Sequence, residues 1–145
     1  MLTQSLGMTI TRIALGVILF AHGYILKVGT FTVAGTVGYF ESIGLPAITA
    51  YLVIAGEIFG GIALILGAFT RLVAWLSLPI LIGATWAHSA NGWLFTAEGG
   101  GWEFPLLLVA LAVSIGFGGA GKYAVDNLDQ MKTIGFQSKT SPAAA

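Results

Sequence analysis

Glu57 is the residue in this chain whose placement most invites chemistry. It is the one charged side chain between Ala47 and Phe69. That run is long enough to cross a bilayer. A carboxylate near its middle is costly, and it tends to face a protein interior, a partner charge or water. The other candidates are Arg12, His22, Lys27, His88 and Glu103. His and carboxylate groups gathered in an apolar setting can give and take protons at a carbonyl or hydroxyl. A quinone head group is one ligand such a set suits, and a water-filled proton or solute path would use the same residues. The expected catalytic set is Glu57, His88, His22 and Glu103. The expected cofactor-binding set is His22, Glu57, His88 and Arg12, with no metal site.

Each of these residues has a plainer reading beside the chemical one. Arg12 can pair with Glu57, so that each charge offsets the desolvation of the other, or it can snorkel to inner headgroups. His22 or His88 alone reads as a hydrogen-bonded interior histidine. Together they leave open a b-type haem between two helices, though two histidines are slight evidence for one. Glu103 opens an apolar run with Pro105 in its first turn, where an acid favours the helix dipole. Lys27 and Glu98 read most simply as solvated loop charges.

Composition sets the frame that holds these residues. The chain has 145 residues, 57% hydrophobic and only 8% charged, against roughly 25% charged in a soluble domain. It contains no cysteine, which excludes disulfides, thiol redox couples and cysteine-bound iron–sulfur clusters. Its formal net charge is zero, which gives no electrostatic reason to expect nucleic acid as a partner.

Crossing the hydrocarbon core takes about 20 mainly apolar residues. Four segments qualify or nearly do: Leu6–Leu26, Pro46–Ala68, Leu72–Ala90 and Glu103–Gly119. In lipid every backbone polar group must be bonded internally, so these are expected as helices. The expected fold is an all-α four-helix transmembrane bundle over residues 1–121, with a polar, partly disordered tail over 122–145. Between spans one and two, Val33, Val37 and Phe40 recur at helical spacing, which suits a short interfacial helix or a partly ordered loop. Gly16 and Gly23, and Gly56 with Gly60, would let helices approach closely. Pro79 should kink the third span.

Four spans put Arg12, Arg71, Lys122, Lys132 and Lys139 on one side and Lys27 on the other. The positive-inside rule then places both termini in the cytoplasm. Glu57 falls about 16 Å into its span, near the midplane. His22, Lys27, His88 and Glu103 lie above it, at similar depth on three helices.

Taken in order, these residues resemble the DoxX-type small membrane proteins. The resemblance rests on Arg12 followed by Leu15-Gly16, His22-Gly23 and Lys27. It continues through Gly56-Glu57, Gly60-Gly61 and Leu66-Gly67, then Thr70-Arg71, His88 and Gly101-Trp102-Glu103. It ends in Gly116–Gly121 and Asp126, and covers about residues 8 to 127. The chain departs from the pattern at Tyr123-Ala124-Val125-Asp126, where a Ser-Leu-Asp ending would be expected. The resemblance implies a four-helix membrane bundle and a link to a thiosulfate–quinone oxidoreductase, of which the family's namesake is a small subunit. Other relatives are described only as oxidoreductases or tied to oxidative stress, and distant ones act in cargo export.

Two functions follow as expectations. One is a small subunit or accessory protein of a quinone-linked redox system in the plasma membrane, partnered by other subunits or by a second copy. The other is an anchoring subunit whose polar cluster only holds the bundle together. A transporter is a third reading, weakened by the lack of inverted repeats.

Overall fold

A computed structural model describes residues 2–128 as an all-helical bundle. Helix α1, Leu2–Phe20, runs without a break into π-helical turns over Ala21–Thr30. A short helix α2, Val33–Ser42, follows. Then come α3, Ala47–Leu66, α4, Thr70–Ala87, and α5, Glu103–Gly118. The expected tail lies mostly outside the described residues.

Three of these elements are long and apolar enough to cross a membrane: Thr3–Thr30, Ala47–Leu66 and Thr70–Ala87. The helix Glu103–Gly118 is apolar but shorter, 16 residues or about 24 Å. Large side chains such as Ile10, Leu52, Phe59 and Phe117 stand on the outer surface. An apolar exterior of that extent suits lipid rather than water.

The inward faces follow helical spacing. In α1 and its continuation the buried residues are Thr9, Arg12, Leu15, Gly16, Leu19 and Gly23. In α3 they are Ala50, Ile54, Glu57, Gly61 and Leu64. Glu57 therefore lies on the core stripe of its helix rather than facing lipid. Leu15, Leu19 and Leu64 join Ala74, Leu81, Leu108, Ala112 and Ile115 in one core. Helix α1 packs on α3, and α4 packs on α5.

The α1–α3 contact is close because both sides are glycine. A Cβ on Gly16 would come within 2.8 Å of the Gly61 carbonyl oxygen, and one on Gly61 within 2.7 Å of the Gly16 oxygen. The expected Gly56–Gly60 face does something else. It turns to α4, where a Cβ on Gly56 would strike the Ile80 side chain at 2.6 Å. Gly67, at φ 71°, ends α3 in the left-handed region that glycine adopts freely.

Candidate functional site

The π-helical turns decide where the first span sends its polar groups. Their hydrogen bonds reach back five residues, as when the Phe31 N–H meets the Leu26 carbonyl at 2.7 Å. In an α-helix, residues 22 and 27 would stand about 140° apart. Wider turns reduce that angle and bring Lys27 round toward α3. Gly23 sits in the same turns and has no side chain to hold α3 away. A Cβ there would come within 2.9 Å of the Glu57 Cβ and 3.0 Å of the Ile58 nitrogen.

Lys27 consequently meets Glu57. Its Nζ donates to Oε1 at 2.8 Å and lies 2.7 Å from Oε2. The side chains are only 19% and 7% exposed, so this is a buried ion pair. The Nζ–Oε2 approach falls outside hydrogen-bond angles, yet it is a close ion contact, so both carboxylate oxygens face the ammonium. The expectation of Lys27 as a solvated loop charge is corrected here. So is the expected Arg12–Glu57 pair.

Arg12 works elsewhere. Fully buried, it donates from Nη1 to the carbonyls of Leu64 and Ile65, the latter at 2.8 Å. Its Nε reaches the Ala120 carbonyl at 2.9 Å, and Nη2 the Tyr123 carbonyl at 3.1 Å. The last carbonyls of a helix have no partner within it and carry the negative end of its dipole. Arg12 satisfies those of α3 and ties down the segment after α5. It is a structural cation and touches no ligand cavity near Glu57.

Asp126 completes this corner. Its Oδ1 accepts from the Phe69 N–H at 2.7 Å and its Oδ2 from the Thr70 N–H at 2.9 Å, capping α4 from 56 residues away. Partial burial alone would push this carboxyl up. The hydrogen bonds at Thr70 and Phe69, with the Arg12 charge nearby, outweigh that and hold it below the usual carboxylate range. The sequence held one signal for the cap. Helix α4 begins after Phe69, with no capping Ser, Asp or Asn of its own.

The Lys27–Glu57 pair lines a cavity of about 170 Å³ enclosed by the π-helical turns, α2, α3 and α4. Its other polar lining residues are Tyr39, Thr49 and His88, and Phe40, Val53 and Ile80 supply apolar wall. Helix α2 lies over this space. It is held by the buried Thr36 hydroxyl, which donates to the Lys27 carbonyl at 3.0 Å. Pro79 lines the cavity from α4, where its missing N–H leaves the helix a hydrogen bond short. For scale, an engineered apolar cavity of about 150 Å³ holds a benzene ring. A larger cleft of about 970 Å³ lies at the Arg71–Asp126 corner, but it is open to the surface and holds no buried ion pair.

His88 stands at the C-terminal end of α4. Its Nδ1 lies 3.0 Å from the carbonyl oxygens of Gly99 and Gly100. Carbonyls only accept, so Nδ1 carries the proton and Nε2 is the ring atom left for a ligand. Of the four expected catalytic residues, Glu57 and His88 thus line one cavity. His22 does not line it. Its ring stacks on Phe104, with centroids 6.1 Å apart, and its Nδ1 donates to the Ile18 carbonyl at 2.9 Å. Glu103 accepts from the Phe95 N–H at 2.8 Å and pins the α4–α5 loop to the start of α5. A small ring fits the volume of this cavity, whose lining includes the cation Lys27, the carboxylate Glu57 and the imidazole of His88. A haem between His22 and His88 does not fit, because the two rings do not share that cavity.

The DoxX family model matches residues 7–90. Over 121 residues the chain is 32% identical to a Bacillus subtilis (strain 168) protein named "Putative oxidoreductase CatD", covering 83% of this chain and 85% of that protein. It is 29% identical over 136 residues to the "Inner membrane protein YqjF" of Escherichia coli (strain K12), covering 86% of this chain and 93% of that one. No solved structure gives a significant match. With more than half its length matched by the family model, and a relative this similar over most of the chain, the protein belongs to the DoxX family of membrane proteins.

Proposed function

We propose that this protein is a small membrane component of a quinone-linked redox system and that the cavity beside Lys27 and Glu57 receives the quinone head group. One observation carries the reading. The buried Lys27–Glu57 ion pair lines a ring-sized cavity together with Tyr39, Thr49 and His88. Charged groups are costly in an apolar membrane interior and tend to mark functional sites. The name of the Bacillus subtilis relative points to the same class of chemistry. Lys27 and Glu57 would position the ring oxygen, His88 would hold or move a proton at Nε2, and α2 would keep water out. A bound quinone would supply the electron-carrying chemistry. With no cysteine and 145 residues, the chain suits a subunit or accessory partner better than a self-sufficient enzyme.

In this reading the protein is multi-pass in the plasma membrane. Helix α5 makes a fourth span, both termini are cytoplasmic, and the cavity opens in the outer half. Binding of a soluble quinone analogue to the purified protein in mild detergent is the test. Saturable binding that weakens in Glu57→Gln and His88→Ala supports it. No binding, or binding indifferent to both substitutions, overturns it. The anchoring reading draws on a different observation, since Arg12, His22 and Glu103 are all spent on backbone contacts. It gains if Glu57→Gln lowers assembly while leaving the electron transfer of its complex intact.

A further inference from the structure

We infer that the cavity is loaded from within the bilayer, through a mouth between α2 and α4, and that its ligand is a ring bearing an apolar tail that leaves over Gly83. This rests on the quinone reading above and goes beyond it by naming the entrance and the class of ring that suits it.

The walls of the cavity are not equally closed. Helix α2 packs on the π-helical turns and on α3, and no comparable packing joins it to α4. Tyr39, Phe40 and Ile43 line the cavity on the α2 side of that gap, and Pro79, Ile80 and Gly83 on the α4 side. Of these, Tyr39, Pro79 and Gly83 are also exposed. A residue that both lines a cavity and stands exposed marks a place where the wall opens. At Gly83 nothing fills the opening, since a Cβ added there would meet no atom within 4 Å. Gly83 lies about 20 Å along α4 from Thr70, and the exposed Trp86 follows it within one turn. Tryptophans gather at the level of the headgroups, so a mouth just beneath Trp86 faces hydrocarbon rather than water.

The charged groups sit away from this mouth. Lys27 comes from the π-helical turns and Glu57 from the core stripe of α3, and their pair is mostly buried. The mouth is framed by apolar side chains, apart from the Tyr39 hydroxyl. A cavity charged at its inner end and apolar at its entrance takes an amphiphile head first. Its volume of about 170 Å³ is that of a ring alone, so an apolar chain on the ring has to run out through the gap. There it meets lipid on one side and the small residues of α4 on the other.

The test is equilibrium binding of two quinones to the purified full-length protein in detergent, decylubiquinone with a tail and duroquinone without one. Each ligand is compared only with itself across variants, so its partition into micelles cancels. Gly83→Trp puts a bulky side chain into the mouth without a clash at Cβ. Ile82→Trp, exposed on the neighbouring face toward α5, is the control. Gly83→Trp should weaken decylubiquinone at least about tenfold and duroquinone by less than about threefold, because only the tail occupies the mouth once the ring is bound. Ile82→Trp should change neither. Should Gly83→Trp not fold, Gly83→Leu should weaken decylubiquinone by about threefold and spare duroquinone. Decylubiquinone binding unchanged in the folded Gly83 variants, equal weakening of the two ligands, or an equal effect of Ile82→Trp overturns the inference while leaving the quinone reading intact. Binding of neither quinone to the wild-type protein overturns both.

Discussion

Lys27 and Glu57, thirty residues apart, meet in the interior with Nζ 2.7 Å from Oε2. The contact joins the π-helical end of the first span to the core stripe of α3. Each charge is tolerated there because of the other. Removing one partner of a buried pair leaves an uncompensated charge, at a cost of about 3–5 kcal/mol, whereas replacing both with apolar groups is often neutral. Lys27→Met should therefore lower the melting temperature in detergent sharply, and Lys27→Met/Glu57→Leu should recover most of the loss. A double variant no more stable than the single one would show that the pair is not what stabilises the bundle at this point.

The contact also depends on a missing side chain. A methyl group on Gly23 would press on Glu57 and on the Ile58 backbone, and a backbone cannot move aside cheaply. Gly23→Ala should cost about 1–3 kcal/mol by overpacking and should also loosen the Lys27–Glu57 geometry. Gly38, exposed in α2 with nothing near its would-be Cβ, is the control. Gly38→Ala should be neutral or stabilising, by up to about 1 kcal/mol, through helix propensity. Thermal unfolding of the two variants side by side checks both. Equal behaviour would mean that the π-helical turns and α3 are not locked together at Gly23.

The residues at this contact mark how far the sequence alone can be read. Glu57 announces itself, because a single carboxylate in an apolar run has few places to go, and 3.6-residue spacing puts it on the buried stripe of α3. Gly23 is legible as one of a pair of small residues seven apart. Lys27 is not, because its position depends on hydrogen bonds that reach five residues back. Sequence periodicity assumes 3.6 residues per turn, and on that assumption Lys27 points away from His22. The same assumption makes Arg12 the natural partner for Glu57. What diverts Arg12 is a set of backbone carbonyls at the end of α3 and beyond α5. Carbonyls are present at every residue, so no residue type flags them. Asp126 was visible as a residue, but its role needed the fold to bring it beside Thr70.

Arg12 gives a sharper test than its charge alone suggests. Its guanidinium reaches four carbonyls from one planar group, and lysine keeps the charge while losing that fork. Hydrogen bonds to a charged group contribute about 1.5–3 kcal/mol each, without simple additivity. Arg12→Lys should destabilise the bundle by at least about 2 kcal/mol, and Arg12→Ala by more. Both should free the segment around Ala120 to Tyr123, read as faster proteolysis there. A lysine variant as stable as wild type would mean that charge at this corner matters and the fork does not.

Asp126 supplies the pH dependence of the same corner. Its carboxyl lies below the usual range when folded, so the folded state favours the ionised form. The stability this gives is complete above the ordinary carboxylate value, near about pH 4, and is lost as pH falls through the lower folded value. An asparagine side chain in its place could accept from only one of the two N–H groups that Asp126 now serves. Asp126→Asn should thus be less stable at neutral pH by about 1 kcal/mol, the usual worth of a helix cap. Between about pH 5 and pH 3 the wild-type melting temperature should fall more steeply than that of Asp126→Asn, so the two curves converge. Glu57 and the other carboxylates are common to both proteins and cancel in the comparison. Parallel curves over that window would mean that the Asp126 charge is not what the start of α4 depends on, and that one neutral acceptor serves Phe69 and Thr70 as well.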